Sequence, residues 1–218
     1  MGSHLHSKKP LFLALIFITI FCSCSNNAPD LRMARLSVVF DYEKMDEFPK
    51  ARLAVFVEAH SNPRRVGTIT VAAKGSDFSW EVNDLLFAQN DETKYLGAVN
   101  LVMPQDLQFP TGEYNVSFIQ MDEEKSDVKV PLFYDKTLYE TKGSEASKVM
   151  NDAMASRMLK VYGENKKVLY YGPWTREFTN ARSIWNVYRD AQEFQETWVS
   201  PGGSVICNLP VQKVVPDN

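Results

Sequence analysis

Few side chains in this sequence are of the types that usually build a metal centre or a nucleophilic active site. The 218 residues contain three cysteines, Cys22, Cys24 and Cys207, and His60 is the only histidine beyond residue 6. A zinc site or a histidine-activated nucleophile normally needs a further imidazole or thiolate close in space. The residue types therefore predict no metal and no cofactor, and His60 is interpreted as an exposed turn residue.

Carboxylates are the remaining candidates for acid–base chemistry. Acidic residues cluster at positions 41–47 and 122–124, without the Asp-x-Asp-x-Asp-Gly spacing of a calcium loop. A glycosidase needs two carboxylates at a defined separation, which is a property of the fold rather than of the sequence. Solvated acidic surface is the favoured interpretation, and a carboxylate-dependent glycan or cell-wall hydrolase is the alternative function.

Aromatic residues are concentrated towards the C-terminus. Eight of them fall within the 29 positions 170–198. Tyr and Trp are favoured contact residues at binding surfaces. We take Trp174, Tyr171, Phe178 and Tyr188 as candidate binding residues for a partner or glycan, with burial in the core as the alternative for each.

The N-terminal segment has the pattern of a secretory signal peptide. Two lysines precede an apolar run over residues 11–21. A basic start followed by about 7–15 apolar residues defines such a signal, whereas a membrane-spanning helix needs about 20. Residues 1–23 are therefore predicted to be a signal peptide, with an uncleaved anchor as the alternative.

The residues around Cys24 resemble the lipobox of bacterial lipoprotein precursors. In Phe21-Cys22-Ser23-Cys24, a bulky residue lies at −3 and a small one at −1 relative to Cys24, whereas Cys22 would place Phe21 at −1. The resemblance implies that Cys24 carries two or three acyl chains, whose buried methylenes hold the protein in a lipid bilayer. It also implies location in the bacterial cell envelope, and Ser25 after the cysteine favours the outer membrane, with the protein periplasmic or surface-exposed.

Charge and composition exclude some partners. Without residues 1–23, which contain two of the 24 basic residues and none of the 27 acidic ones, the net charge is −5. An acidic chain lacks the electrostatic footprint of a nucleic-acid-binding protein. The apolar fraction of 44% is typical of a globular protein. With Cys24 acylated, Cys207 has no partner within the chain and is expected to be buried, with an intermolecular disulfide as the alternative.

Seven segments between residues 35 and 133 have the composition and alternation of short strands. No helical pattern separates them, which favours a mainly β protein with an antiparallel β-sandwich over residues 35–142. Pro131 lacks an amide hydrogen, so we expect the last of these strands to lie at a sheet edge. The segments are 35–41, 52–59, 66–72, 78–82, 95–102, 113–120 and 128–133.

One of these strands is approached by a turn that resembles those of immunoglobulin-like and fibronectin-type domains of bacteria. The segment is Leu107-Gln-Phe-Pro-Thr-Gly-Glu-Tyr-Asn-Val-Ser-Phe118. Pro110 and Gly112 suit the turn, and Tyr114 is expected to bury its ring while its hydroxyl bonds to the backbone. The resemblance implies an immunoglobulin-like sandwich.

Composition changes near residue 143. Residues 143–158 place apolar side chains at helical spacing, with Ser144 as N-cap and Met150, Met154 and Met158 on one face. This pattern predicts a short helix, followed by a smaller β-rich module over residues 159–218. Its candidate strands are 159–162, 167–171, 183–188, 195–199 and 204–210, the last after a Pro-Gly-Gly turn.

These patterns together favour a non-enzymatic protein of the bacterial cell envelope. Its acylated Cys24 begins a tether over residues 24–34, and its body binds a protein or glycan partner or contributes to a surface assembly.

Overall fold

The computed structural model describes residues 30–60, 62–90, 93–104 and 107–214. They form a mainly β protein with two α-helices, which confirms the fold class at this level. The helices are α1 (Gly143–Asp152) and α2 (Ala181–Val187). The strands are β1 (Leu31–Asp41), β2 (Lys50–Ala59), β3 (Val66–Ala73), β4 (Ser79–Val82), β5 (Leu86–Asn90), β6 (Thr93–Leu101), β7 (Gly112–Gln120), β8 (Lys125–Leu132), β9 (Ser156–Tyr162), β10 (Val168–Pro173), β11 (Glu193–Val199), β12 (Val205–Asn208) and β13 (Gln212–Lys213).

The strands form two sheets. The larger has nine strands in the order β10-β9-β11-β12-β1-β2-β6-β5, with β13 paired to β11. The smaller has the order β4-β3-β7-β8. β1 and β12 run parallel, and the other described pairs are antiparallel. Because β12 joins β1, strands of the predicted segments 35–142 and 159–218 share one sheet.

The strand pattern of the first segment was predictable. Each of its seven candidate strands overlaps a strand of the structure, and only β5 was not anticipated. The prediction for Pro131 is confirmed, since β8 lies at the edge of the four-stranded sheet. The prediction for Tyr114 is also confirmed, because its ring is fully buried and its hydroxyl donates to the carbonyl oxygen of Pro110 at 2.8 Å.

The main hydrophobic core lies between the two sheets. Alternate residues of β1 and β2, such as Val38 and Val55, pack in one cluster with Ile69 of β3 and Phe118 of β7. Burying a side chain of this size contributes about 1.5–3 kcal/mol. A second cluster forms under α2 at the other end of the large sheet, from Leu159 and its neighbours. One face of the nine-stranded sheet therefore carries both cores.

The predicted helix over residues 143–158 is too long. α1 ends at Asp152, and Met154 adopts a left-handed conformation with φ of 57°. The amide of Ala155 then bonds to the carbonyl oxygen of Met150, which closes the helix end. Met158 belongs to β9, where pairing with β11 outweighs local helix propensity. Ser144 is not the N-cap either, since Lys142 precedes the first helical residue.

The predicted strand over residues 183–188 is wrong, because these residues belong to α2 and its C-cap. The side chain of Asn180 accepts a hydrogen bond from the amide of Ser183, and the hydroxyl of Ser183 accepts one from the amide of Asn180. This capping box satisfies two amide groups that a helix start leaves unpaired. Ile184 on the inner side of the helix is fully buried.

The signal peptide and Cys24 lie outside the described residues. Within the part of the chain that is described, no helix is long and apolar enough to span a membrane.

Candidate functional site

A hydrogen-bonded group of polar side chains lies on the face of the nine-stranded sheet that points away from the cores. Successive residues of a strand point to opposite faces. Phe40 and Cys207 are core residues, so the next residue of each strand, Asp41 and Asn208, faces the other side. We call this group the polar cluster, and it consists of Asp41, Arg52, Lys160, Thr197 and Asn208.

Asp41 forms the anionic end of the polar cluster. Its Oδ2 accepts a hydrogen bond from Nε of Arg52 at 2.6 Å, and its Oδ1 accepts one from Nδ2 of Asn208 at 2.7 Å. Arg52 also donates through Nη1 to the carbonyl oxygen of Val99 at 2.5 Å. Both carboxylate oxygens are therefore engaged, and the guanidinium is fixed between β1 and β6.

Asn208 joins this pair to Lys160. Its Oδ1 accepts hydrogen bonds from Nζ of Lys160 and from the hydroxyl of Thr197, both at 2.9 Å. Thr197 is fully buried and Asn208 is 5% exposed. Since buried polar groups without partners are costly, these bonds hold the amide in one orientation and position the ammonium group.

The electrostatics of the polar cluster are uneven. Two cations, Arg52 and Lys160, face one carboxylate. Burial lowers the pKa of Lys160, the charge of Asp41 raises it, and the charge of Arg52 lowers it, with burial the largest effect. A partly desolvated ammonium group of this kind marks a candidate binding site.

Two tyrosines and a glutamine flank Lys160 on the same face. Tyr171 of β10 and Gln195 of β11 are its register partners on the two neighbouring strands. The ring centre of Tyr171 lies 5.7 Å from Nζ of Lys160, within the range of a cation–π contact. The hydroxyl of Tyr162 donates to Oε1 of Gln195 at 3.2 Å, and Nε2 of Gln195 donates to a backbone carbonyl.

Of the four aromatic residues predicted to bind a partner, Tyr171 is the one at the polar cluster. It is 54% exposed, whereas the preceding residue, Tyr170, belongs to the second core cluster. Its exposed ring and the adjacent ammonium group form an accessible pair.

Trp174 lies on the opposite face of the sheet. The guanidinium carbon of Arg157 is 4.0 Å from its ring centre, and Phe194 meets it edge-on with ring centres 6.2 Å apart. Arg157 in turn donates to Glu196 at 2.7 Å. The tryptophan is half-buried, so much of its surface already contacts the protein.

Phe178 and Tyr188 are brought together, but in the second core cluster. Their rings stack with centres 6.2 Å apart, and each also contacts Tyr170. Phe178 is only 3% exposed, and Tyr188 is half-buried. The four predicted residues therefore do not form one surface.

The acidic clusters are largely occupied by ion pairs. Asp41 turns into the polar cluster, Glu43 pairs with Lys50 at 2.5 Å, and Asp122 pairs with Arg65. His60 is exposed and hydrogen-bonds Glu58, as expected for a turn residue. Among the described residues, no three His, Cys, Asp or Glu side chains are grouped so as to hold a metal ion.

The two carboxylates nearest the middle of the large sheet, Asp41 and Glu196, do not form a pair. Glu196 precedes Thr197 on β11 and faces the core side, where it accepts hydrogen bonds from Arg157 and from the indole of Trp198. Asp41 faces the other side. A single glycosidic bond cannot lie between them.

The polar cluster could not be recognised from the sequence, because its members come from five strands. Lys160, Thr197 and Asn208 occupy the polar positions of alternating segments, which is the usual pattern of solvated residues. One signal was available in the sequence. Asp41 ends one predicted strand and Arg52 begins the next, so the two residues are expected at the same end of the sheet.

Comparison with known proteins gives no family for this chain. No protein-family model matches it, and neither a curated protein nor a solved structure resembles it significantly.

Proposed function

We propose that this protein is a lipid-anchored, non-enzymatic component of the bacterial cell envelope that binds a protein or glycan partner. The observation that carries the proposal is the exposed ring of Tyr171 beside the ordered polar cluster. Aromatic rings with fixed polar groups around them are typical of binding surfaces.

The position of the first strand supports the anchor. β1 begins at Leu31, seven positions after Cys24. Seven residues span at most about 25 Å when fully extended. Acylation of Cys24 would therefore keep the body close to the bilayer, in the outer membrane according to Ser25.

The turn at Tyr114 supports an immunoglobulin-like sandwich for residues 35–142. A tyrosine at the start of a late strand, whose hydroxyl bonds to the backbone a few residues upstream, is a hallmark of such domains. Tyr114 has this arrangement with Pro110, and residues of both sheets share the core beside it.

The arrangement of carboxylates supports a binding role over hydrolysis. Asp41 and Glu196 lie on opposite faces, and each is held by an arginine. A hydrolase would require two carboxylates facing the same bond.

Labelling of cells with a fatty-acid analogue tests the anchor. The label should enter the wild type and the Cys22→Ala variant, and it should be absent from Cys24→Ala. Equal labelling of the two variants, or none in the wild type, contradicts the anchor.

Affinity purification from the native membrane tests the binding role. Tyr171→Ala should reduce capture of the partner while the protein stays folded, with at most a small decrease in melting temperature. Val168→Ala is the matched control, since Val168 is 55% exposed on the same strand and should retain capture. Capture that is unaffected by Tyr171→Ala, or cleavage of a cell-wall glycan by the purified protein, contradicts the proposal.

A further inference from the structure

The ammonium group of Lys160 has no direct carboxylate partner among the described ion pairs, although it is partly buried. An ammonium group has three N–H donors. In the structure, Nζ donates to the neutral amide oxygen of Asn208 at 2.9 Å, and it lies 5.7 Å from the ring centre of Tyr171. Neither group carries a negative charge.

The nearby carboxylate of Asp41 is engaged by other donors and makes no direct hydrogen bond to Lys160 among the described contacts. Both oxygens of Asp41 already accept hydrogen bonds, one from Arg52 and one from the amide of Asn208. Asn208 separates the carboxylate from Lys160, because its amide group bonds to Asp41 through nitrogen and to Lys160 through oxygen. The polar cluster therefore retains one unit of positive charge at its Lys160 end.

We propose that Nζ of Lys160 binds an oxyanion, a carboxylate or phosphate group of the ligand, on the Tyr171 side of the polar cluster. The proposal deepens the proposed function and depends on it for the location of the binding surface. An oxyanion there serves as the counter-ion of Lys160 and accepts hydrogen bonds from the remaining N–H groups of the ammonium. Charge-assisted hydrogen bonds of this kind are about twice as strong as neutral ones.

The surrounding charges favour an anion over a cation. Asp41 and Arg52 act on the pKa of Lys160 in opposite directions, with burial the largest effect. Glu193, on the same face beyond Gln195, is paired with Lys166. The flanking Gln195 and Tyr162 are neutral and already bonded to each other. The half-exposed Tyr171 leaves an approach from solvent and offers a ring on which the uncharged part of a ligand can rest.

The test uses galacturonate and inorganic phosphate as probes. Galactose, the uncharged analogue of galacturonate, is the control ligand. Nuclear magnetic resonance of the lysine side chains of the full chain should show saturable shifts of Lys160 with one of the two anions, at roughly millimolar affinity. Galacturonate alone identifies a carboxylate ligand, and phosphate alone identifies a phosphate ligand. No saturable shift with either anion, or an equal response to galactose, overturns the proposal.

The pKa of Lys160 gives a second measurement on the unmodified protein. A bound oxyanion stabilises the charged form, so the pKa of Lys160 should rise when the anion saturates the site. A pKa that does not change on saturation overturns the proposal.

Substitution identifies the residue responsible. Lys160→Gln should weaken anion binding by about tenfold or more, whereas Lys160→Arg retains the charge and should retain most of the binding. Lys129→Gln, which changes an exposed lysine of the other sheet, is the control and should have no effect. If membrane capture depends on Tyr171 but neither anion binds, the proposed function stands and only the oxyanion site is lost.

Discussion

The carboxylate of Asp41 and the side-chain amide of Asn208 form a 2.7 Å hydrogen bond although 167 positions separate them in the sequence. They are register partners on the parallel strands β1 and β12. The bond fixes β12 beside β1, and it connects the two cations of the polar cluster through one carboxylate and one amide.

Asp41→Asn should destabilise the protein by about 1–3 kcal/mol, because it leaves Arg52 without its counter-charge and places two amide groups against each other. Urea unfolding measures the change. Glu43→Gln is the control, since its pair with Lys50 is exposed and its loss should cost below about 0.5 kcal/mol. Equal effects of the two substitutions would show that the polar cluster adds no particular stability.

Tyr114→Phe should cost about 1–2 kcal/mol, since it removes a buried hydrogen bond and leaves the carbonyl oxygen of Pro110 without this donor. Thermal unfolding followed by circular dichroism measures the effect. Tyr171→Phe, at an exposed position, should leave the melting temperature unchanged. A melting temperature that Tyr114→Phe does not lower contradicts the role of this hydroxyl.

Met154→Gly should stabilise the protein by about 1 kcal/mol, because Met154 closes α1 in a left-handed conformation that glycine adopts without strain. The side chain is 82% exposed, so little packing is lost. Met45→Gly tests the alternative that any exposed methionine tolerates glycine, and it should destabilise slightly through chain entropy. A lower melting temperature for Met154→Gly argues against strain at this position.

Trp174→Ala and Tyr171→Ala should differ in stability. Trp174 stacks on Arg157 and contacts Phe194, so its removal should cost about 2 kcal/mol. Tyr171 is more exposed, and its removal should cost less than about 1 kcal/mol. Chemical denaturation of both variants measures this difference, and a reversed order would place Tyr171 among the stabilising residues.

Cys207 should react slowly with a thiol reagent in the folded protein and rapidly after unfolding. It is fully buried, and burial raises its pKa from 9.0 to about 12, so little thiolate is present at neutral pH. Because the pKa is higher in the folded state, the stabilising contribution of the thiol is complete below pH 9 and declines as the pH rises towards 12.

A variant with Cys22→Ala and Cys24→Ala isolates the signal of Cys207. Its reaction with a chromogenic disulfide at pH 8 should be at least about 100-fold slower in buffer than in urea. Reaction at similar rates would show that Cys207 is accessible in the folded state and would favour the intermolecular disulfide.

Most strands between residues 35 and 133 could be predicted from the sequence, because alternation of apolar and polar residues depends only on neighbours within a strand. Tyr114 and Pro131 were also predictable, since a turn and a missing amide hydrogen act locally. The end of α1 was not predictable, because the helical spacing of Met154 and Met158 competes with strand pairing. For α2 the capping box of Asn180 and Ser183 is a local signal, but the apolar and aromatic residues that follow it also suit a strand.

The sequence by itself determined which segments alternate between apolar and polar residues. It also determined that Pro131 belongs at a sheet edge, that Tyr114 is buried, and that Cys24 resembles a lipidation site. Only the tertiary structure decided that β12 lies parallel to β1 and that Asp41, Lys160 and Asn208 meet. The register of two strands so far apart depends on how both faces of the sheet are packed, and a residue pattern within one strand carries no information about its distant partner.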